Sequence, residues 1–139
     1  MNYINKVLVF TDAACEKNPG NASIGVVLKG ENGKLLEKFS KKIGNSTNNR
    51  AEYLAVLKGL ELALKFCRNE VSVYTDSQLV VRQLNGKYRI KNEKLLKIIK
   101  QIKLMELLFK RVKYFHLAEK HNKEAHKLAK KCLKSDRKT

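Results

Sequence analysis

Apolar residues repeat with two different spacings along this chain, and the change of spacing separates strands from helices. Apolar and β-branched runs at 7–12, 22–29 and 35–43 predict three short strands. The turn sequences N-P-G-N at 18–21 and E-N-G-K at 31–34 lie between them. Short turns join antiparallel neighbours, so the first third of the chain is expected to form a three-stranded antiparallel meander.

The spacing then changes to that of a helix. From 51 to 66 leucines recur every three or four residues, which predicts an amphipathic helix capped by Asn48 or Asn49. A further strand is expected at 71–75. A helix that connects two strands of one sheet favours a right-handed crossover, which would place the new strand parallel to the first. The pattern therefore predicts an α/β fold with a mixed sheet.

A longer amphipathic helix is predicted at 92–110. Its apolar face is broad and is expected to cover the sheet; the residues of that face are Leu95, Leu96, Ile99, Ile102 and Leu108.

Three carboxylates occupy the ends of these predicted elements. Asp12 closes V-L-V-F-T-D, Asp76 follows V-Y-T, and Glu52 lies in the first turn of the predicted helix, within T-N-N-R-A-E. If the two strands are neighbours, all three converge at the carboxyl edge of the sheet. Taken singly, each Asp could cap a turn and Glu52 could complement the helix dipole, so the inference rests on the set.

Three clustered acids repel one another unless a cation holds them together. Ligands that are all oxygen suit Mg²⁺ or Mn²⁺, and a two-metal site can activate a water and stabilise the leaving oxygen of a phosphodiester. The set therefore indicates a phosphodiester hydrolase that needs no nucleophilic side chain.

The charge indicates a polyanionic partner. The formal net charge is +17, and residues 82–139 carry 19 basic and 5 acidic side chains, against 11 and 8 in residues 1–81. Such a surplus attracts nucleic acid by counterion release, although a solvated lysine-rich helix surface is the alternative. No apolar stretch approaches the length of a membrane span, so a cytoplasmic protein without a membrane partner is expected.

Four blocks together resemble type 1 ribonuclease H from about Val7 to Leu133. They are D-A-A-C-E-K-N-P-G-N-A, S-T-N-N-R-A-E-Y, Y-T-D-S-Q-L-V and H-N-K-E-A-H-K-L-A. The resemblance implies a five-stranded mixed sheet with helices on both faces. It also implies hydrolysis of the RNA strand of RNA/DNA hybrids, leaving 3′-hydroxyl and 5′-phosphate ends.

The resemblance also implies roles for individual residues. Asp12, Glu52 and Asp76 match the metal-binding carboxylates of the family. Recognition of the RNA 2′-hydroxyl would fall to an amide set assisted by backbone groups near Cys15, and amides suit a group that both donates and accepts. That set is Asn18, Asn49 and Gln78. Thr47 and Asn92 match a pocket for a phosphate of the DNA strand, where Asn45 replaces an Arg that some members carry.

The chain departs from the family at the fourth acid, where His126 stands in place of an Asp. An imidazole can bind Mn²⁺ more readily than Mg²⁺, so we expect either a site with altered metal preference or a surface His that replaces an expendable ligand. Glu124 is two residues away on the predicted helix and faces nearly the opposite way. The resemblance also implies a His in the loop before the last helix that moves protons or assists product release, and His121 is favoured over His116 for that role.

Several alternatives stay open. A hybrid or double-stranded RNA binding module with weak or lapsed catalysis, or a nuclease that also cuts double-stranded RNA, would share these motifs. Length and composition predict one domain over 1–139, frayed from about 135, and we expect a monomer. The three cysteines are expected to be reduced, with a Cys67–Cys132 bridge between two helix ends as the alternative.

Overall fold

The computed structural model describes residues 2–86 and 92–135. Its five strands are β1 (Ile4–Cys15), β2 (Gly20–Gly30), β3 (Leu35–Ser46), β4 (Cys67–Thr75) and β5 (Arg111–His116). Its α-helices are α1 (Asn48–Ala63), α2 (Gln78–Leu84), α3 (Glu93–Glu106) and α4 (Lys123–Lys134), and a 3₁₀ turn at Glu119–His121 precedes α4.

The strands form one mixed sheet in the order β3-β2-β1-β4-β5. The first three are antiparallel, whereas β4 runs parallel to both β1 and β5. The predicted meander and the parallel placement of the fourth strand are therefore confirmed. The run at 7–12 was expected to end at Asp12, but β1 continues for three residues because β2 still pairs with it as far as Cys15.

Helix α1 differs from its prediction at both ends. It begins at Asn48, and its N-cap is Thr47, whose hydroxyl oxygen accepts a hydrogen bond from Arg50 N; neither predicted Asn is the cap. Glu52 consequently lies one turn into the helix. The close approach of α1 to β1 depends on Gly59, where a Cβ would lie 2.6 Å from Val9 Cγ1.

Helix α3 ends at Glu106, four residues before the predicted end, and Leu108 is exposed. Its buried residues are Ile98, Ile99 and Ile102. The prediction that this helix covers the sheet is wrong, because α3 packs chiefly against α1, which already covers that face. The core therefore has α1 between the sheet and α3.

Helix α4 packs on the opposite face, across β2, β1 and β3. Gly25 in β2 permits this contact, because a Cβ there would lie 2.3 Å from the carbonyl oxygen of Ala125. Gly25 is also the β2 residue that pairs with Asp12. The glycine thus brings α4 against the sheet beside the first carboxylate.

Cys15, Cys67 and Cys132 are all free, so the Cys67–Cys132 bridge is wrong. Cys67 does not end a helix. It opens β4 opposite Ile4, whereas α4 crosses the sheet near Thr11 at the other end of β1. The sequence also makes Lys87, Arg89 and Lys91 candidates for contacts to nucleic acid, but these residues lie outside the described ranges, as does most of the predicted frayed tail. Within the described ranges, no helix is long and apolar enough to cross a membrane.

Candidate active site

The three carboxylates predicted to converge do so. Asp12 lies two residues beyond the last parallel pair of β1 and β4, Phe10 with Tyr74, and Asp76 directly follows β4. Glu52 reaches the same place from α1. One carboxylate oxygen from each residue lies within 4.8 Å of the other two.

Burial and mutual repulsion make these groups hard to ionise. Desolvation, and then the charge of Asp76, raise the pKa of Asp12 from 3.8 to about 6, although the Ala13 amide and His126 oppose the shift. The pKa of Glu52 lies well above 4.5, first because the side chain is buried and then because Asp12 and Asp76 are close. A cation bound between the three groups would offset both the cost of burying their charges and their mutual repulsion.

The donor set fits a hard divalent cation. All its ligand atoms are carboxylate oxygens. Glu52 Oε1 is buried without a hydrogen-bond partner, and burying such an oxygen is costly unless something pairs with it. The unpaired oxygen and the unrelieved repulsion both indicate a positive charge at this position.

His126 stands beside this set. Its Nδ1 lies 2.7 Å from Asp12 Oδ2, at hydrogen-bonding distance. The first turn of α4 is held there by Asn122, whose side-chain amide donates to the carbonyl oxygen of Thr11 at 2.8 Å. Glu124 faces away, as expected from its position on the helix, and pairs with Lys29 and Lys38.

Sequence reasoning missed Glu119. This residue opens the 3₁₀ turn, lies 3.6 Å (Oε1) from His126 Nε2, and lines the same shallow cavity of about 370 Å³ as the carboxylates. His121, the predicted loop residue, lines instead a smaller cavity of about 170 Å³ beside Phe10 and Lys29. No sequence motif indicated Glu119, because its place beside His126 depends on the conformation of the turn that precedes α4.

A larger groove of about 940 Å³ lies next to the carboxylates and contains most of the predicted substrate residues. These are Asn18, Thr47, Asn49 and Asn92; Asn45, which stands where some family members carry an Arg, also lines the groove. Asn49 lines both this groove and the carboxylate cavity, so it joins the two. Three cations to which the sequence analysis gave no role, Arg50, Lys94 and Lys97, also line the groove and give it positive charge.

Several of these polar residues also have structural partners. Asn18 Oδ1 accepts from the backbone amide of Asn48 at 3.0 Å, and Asn92 caps α3 by accepting from the amides of Lys94 and Leu95. Gln78 is exposed at the start of α2, outside the residues that line the groove. Cys15 ends β1, with its Sγ 3.8 Å from the carbonyl oxygen of Ser46.

Comparison with known proteins gives related sequences with the same fold. Residues 10–132 match a family described as reverse transcriptase-like. A bifunctional protein of Mycobacterium tuberculosis is 35% identical over 125 residues, which are 89% of this chain and 34% of that protein. The chain thus spans 34% of the length of that relative.

Two solved structures superpose closely. One is the N-terminal ribonuclease H domain of a Mycobacterium tuberculosis protein, fused to maltose-binding protein, with a TM-score of 0.88 and 33% identity over 92% of this chain and 98% of that one. The other is a ribonuclease H1 in complex with an RNA/DNA hybrid, with a TM-score of 0.86 and 33% identity over 91% of this chain and 96% of that one.

Proposed function

The chain belongs to the ribonuclease H family, and on that premise we propose that it is an endonuclease that hydrolyses the RNA strand of RNA/DNA hybrids. The observation that carries the proposal is the convergence of Asp12, Glu52 and Asp76 within 4.8 Å at the edge of the sheet. A relative solved with an RNA/DNA hybrid supports the substrate class.

In this proposal Asp12, Glu52 and Asp76 hold the divalent cations. When bound, Mg²⁺ or Mn²⁺ would supply activation of a water molecule and stabilisation of the leaving oxygen. The water oxygen forms a bond to phosphorus while the bond from phosphorus to the 3′-oxygen breaks, so the products carry a 3′-hydroxyl and a 5′-phosphate. The protein contributes fixed negative charge in a buried setting and needs no covalent intermediate.

RNA recognition is assigned to the amides near the carboxylates. Asn49 lines both the carboxylate cavity and the groove, which suits a contact to the nucleotide next to the cut. Asn18 and Gln78, with the backbone near Cys15, complete the proposed set. A 2′-hydroxyl both donates and accepts, so amides can distinguish it from the hydrogen of DNA.

The groove between Thr47 and Asn92 is the proposed seat of the DNA strand. Both residues are helix N-caps that line the groove, and the positive end of each helix dipole favours an anion there. Arg50 and Lys94 line it and would pair with a phosphate.

His126 is the proposed source of an altered metal preference. Its Nδ1 faces Asp12, and Glu119 stands by its other nitrogen, an arrangement that can orient a ligating imidazole. Binding through Nδ1 requires that the hydrogen bond to Asp12 be given up. His126→Asp is expected to shift the preference from Mn²⁺ toward Mg²⁺ both in hybrid cleavage and in calorimetric metal binding. An unchanged preference in both would make His126 an expendable surface residue.

The experiment that tests the function is cleavage of a labelled RNA/DNA hybrid in Mg²⁺ and, separately, in Mn²⁺. Single-stranded RNA, double-stranded RNA and duplex DNA serve as comparison substrates, and Asp12→Asn as the inactive control. Cleavage of the RNA strand that the control lacks is expected. Tight hybrid binding without cleavage in either metal would make the protein a binding module, and equal cutting of double-stranded RNA would widen the substrate class.

A further inference from the structure

Five of the 19 basic side chains of residues 82–139 lie on one face of α4. The helix contains five lysines, all exposed, and a single acid, Glu124. We call these five the lysine stripe; they are Lys123, Lys127, Lys130, Lys131 and Lys134.

The spacing of the stripe makes it continuous. At 100° per residue the five positions fall within about 100° of one another around the helix axis. The buried residues Ala125, Ala129 and Cys132 lie on the opposite side. At 1.5 Å per residue the stripe is about 16 Å long.

The stripe has no internal charge partner. None of its five lysines forms an ion pair with any residue that the structure describes. The one acid of the helix, Glu124, forms ion pairs with Lys29 and Lys38 and with none of the stripe lysines. Like charges three or four residues apart on a helix repel, which costs a few tenths of a kcal/mol per pair. The helix therefore carries an electrostatic cost that an external anion would remove.

The direction of α4 keeps the stripe at the level of the carboxylates. The helix starts beside Thr11, where Asn122 donates to the backbone, and its middle receives a hydrogen bond from Ser23 Oγ at the carbonyl oxygen of Ala129. Ser23 pairs with Ala14, two residues beyond Asp12. At its far end Lys42 donates to Ser135, and Lys42 pairs with Ser23. Helix α4 thus runs across the strands, along the edge that holds Asp12.

We propose that the lysine stripe is a second nucleic-acid surface, which binds the phosphate backbone of the duplex on one side of the segment held at the carboxylates. The proposal rests on the proposed function for the identity of the duplex, an RNA/DNA hybrid. A stiff duplex crossing this edge can continue along a row of cations that follows the same edge. The helix has no Phe, Tyr or Trp on which unpaired bases could stack, which favours a duplex over a single strand.

The test compares hybrid binding by two variants that each lose four lysines, both built on Asp12→Asn to prevent cleavage. The first replaces Lys127, Lys130, Lys131 and Lys134 by Gln. The second replaces four exposed lysines elsewhere, Lys34, Lys100, Lys110 and Lys113, by Gln. Affinity is measured against salt for hybrids of about 8 and about 24 base pairs, or about 27 and about 80 Å at 3.4 Å per pair.

For the longer hybrid the stripe variant is expected to lose at least about tenfold in affinity near 0.1 M salt, and the slope of log affinity against log salt should fall by about 2. The short hybrid should bind almost as the parent does, and the off-stripe variant should change little with either length. Circular dichroism of each variant checks that α4 remains folded.

Equal losses in the two variants, or equal losses for the two lengths, would overturn the stripe as a distinct surface. A loss confined to hybrids that carry a single-stranded RNA overhang would overturn its assignment to duplex. Cleavage by the parent chain is measured separately. Length-dependent binding through the stripe without any cleavage would refute the nuclease while leaving the surface in place.

Discussion

The carboxylate cluster and the lysine stripe are both groups of like charge, but burial gives them different consequences. Asp12 is only 3% exposed, and its pKa is raised to about 6. The stripe lysines face solvent, which screens their repulsion. Burial therefore makes the carboxylate cluster hard to ionise without a cation, whereas the solvent-exposed stripe can attract a polyanion from a distance.

Helix α4 carries the lysine stripe and also places His126 beside the carboxylate cluster. A substitution at Gly25 should move this helix relative to the carboxylates. In Gly25→Ala the added Cβ would meet the Ala125 carbonyl oxygen at 2.3 Å and the Ala129 amide nitrogen at 2.7 Å, so the helix must shift away from β2. We expect a loss of about 3 kcal/mol in the free energy of unfolding, measured with urea. The shift should also weaken the contact between His126 and Asp12.

Gly30→Ala is the matched control in the same strand. Its nearest neighbour would be the side-chain oxygen of Asn32 at 3.3 Å, and a flexible side chain can move. A loss below about 1 kcal/mol is expected there. If both variants lost the same amount, the close packing of α4 on β2 would not be the cause.

The electrostatic cost of the carboxylate cluster can be measured with Asp12→Asn in EDTA. The folded pKa is raised from 3.8 to about 6, so the folded protein binds this proton more tightly than the unfolded chain does. The resulting stability is present below pH 3.8 and is lost as the pH rises through about 6. At pH 8 the variant should therefore be more stable than the parent by about 3 kcal/mol, at 1.36 kcal/mol per pKa unit, and near pH 3.5 the two should agree.

Glu124→Gln is a control for which the change in the free energy of unfolding at pH 8 should have the opposite sign. The ammonium of Lys29 holds the pKa of Glu124 below 4.5, so removing this carboxylate should slightly destabilise the protein at pH 8. A destabilised Asp12→Asn at pH 8, or equal effects at both pH values, would mean that repulsion does not dominate the cluster.

The smallest effect is expected at the stripe. Replacing Lys127, Lys130, Lys131 and Lys134 by Gln removes like-charge neighbours, so the free energy of unfolding should rise by about 1 kcal/mol at low salt. The gain should vanish near 1 M salt, where the screening length is about 3 Å. Urea titrations at the two salt concentrations measure it, and a gain that persists at high salt would indicate helix propensity instead of charge.

Much of the candidate active site could be predicted from local patterns. The strands that end near Asp12 and Asp76 have clear apolar periodicity, and a right-handed crossover leaves few ways to arrange them. The N-cap was placed one or two residues late, because Thr47, Asn48 and Asn49 are all capping residue types and only the backbone decides among them.

The positions that depend on packing could not be predicted. The apolar face of α3 was evident, but its contact with α1 instead of the sheet depends on which surface α1 already covers. Glu119 lines the carboxylate cavity because of the shape of the 3₁₀ turn that contains it, and the spacing of apolar residues does not predict that shape. The alternative of a Cys67–Cys132 disulfide was wrong, because Cys67 opens β4 whereas α4, which carries Cys132, crosses the sheet near the other end of the strands.

The sequence by itself determined the order of the elements, the three carboxylates, the His126 substitution and the lysine spacing of α4, because these follow from local periodicity and residue chemistry. The tertiary structure alone decided that His126 touches Asp12, that Glu119 stands behind it, and that α4 runs along the carboxylate edge. The contacts of His126 with Asp12 and of Asn122 with Thr11 join residues that are 114 and 111 positions apart in the chain. Their geometry is fixed by the packing of α4 on β2 at Gly25, which no local pattern encodes.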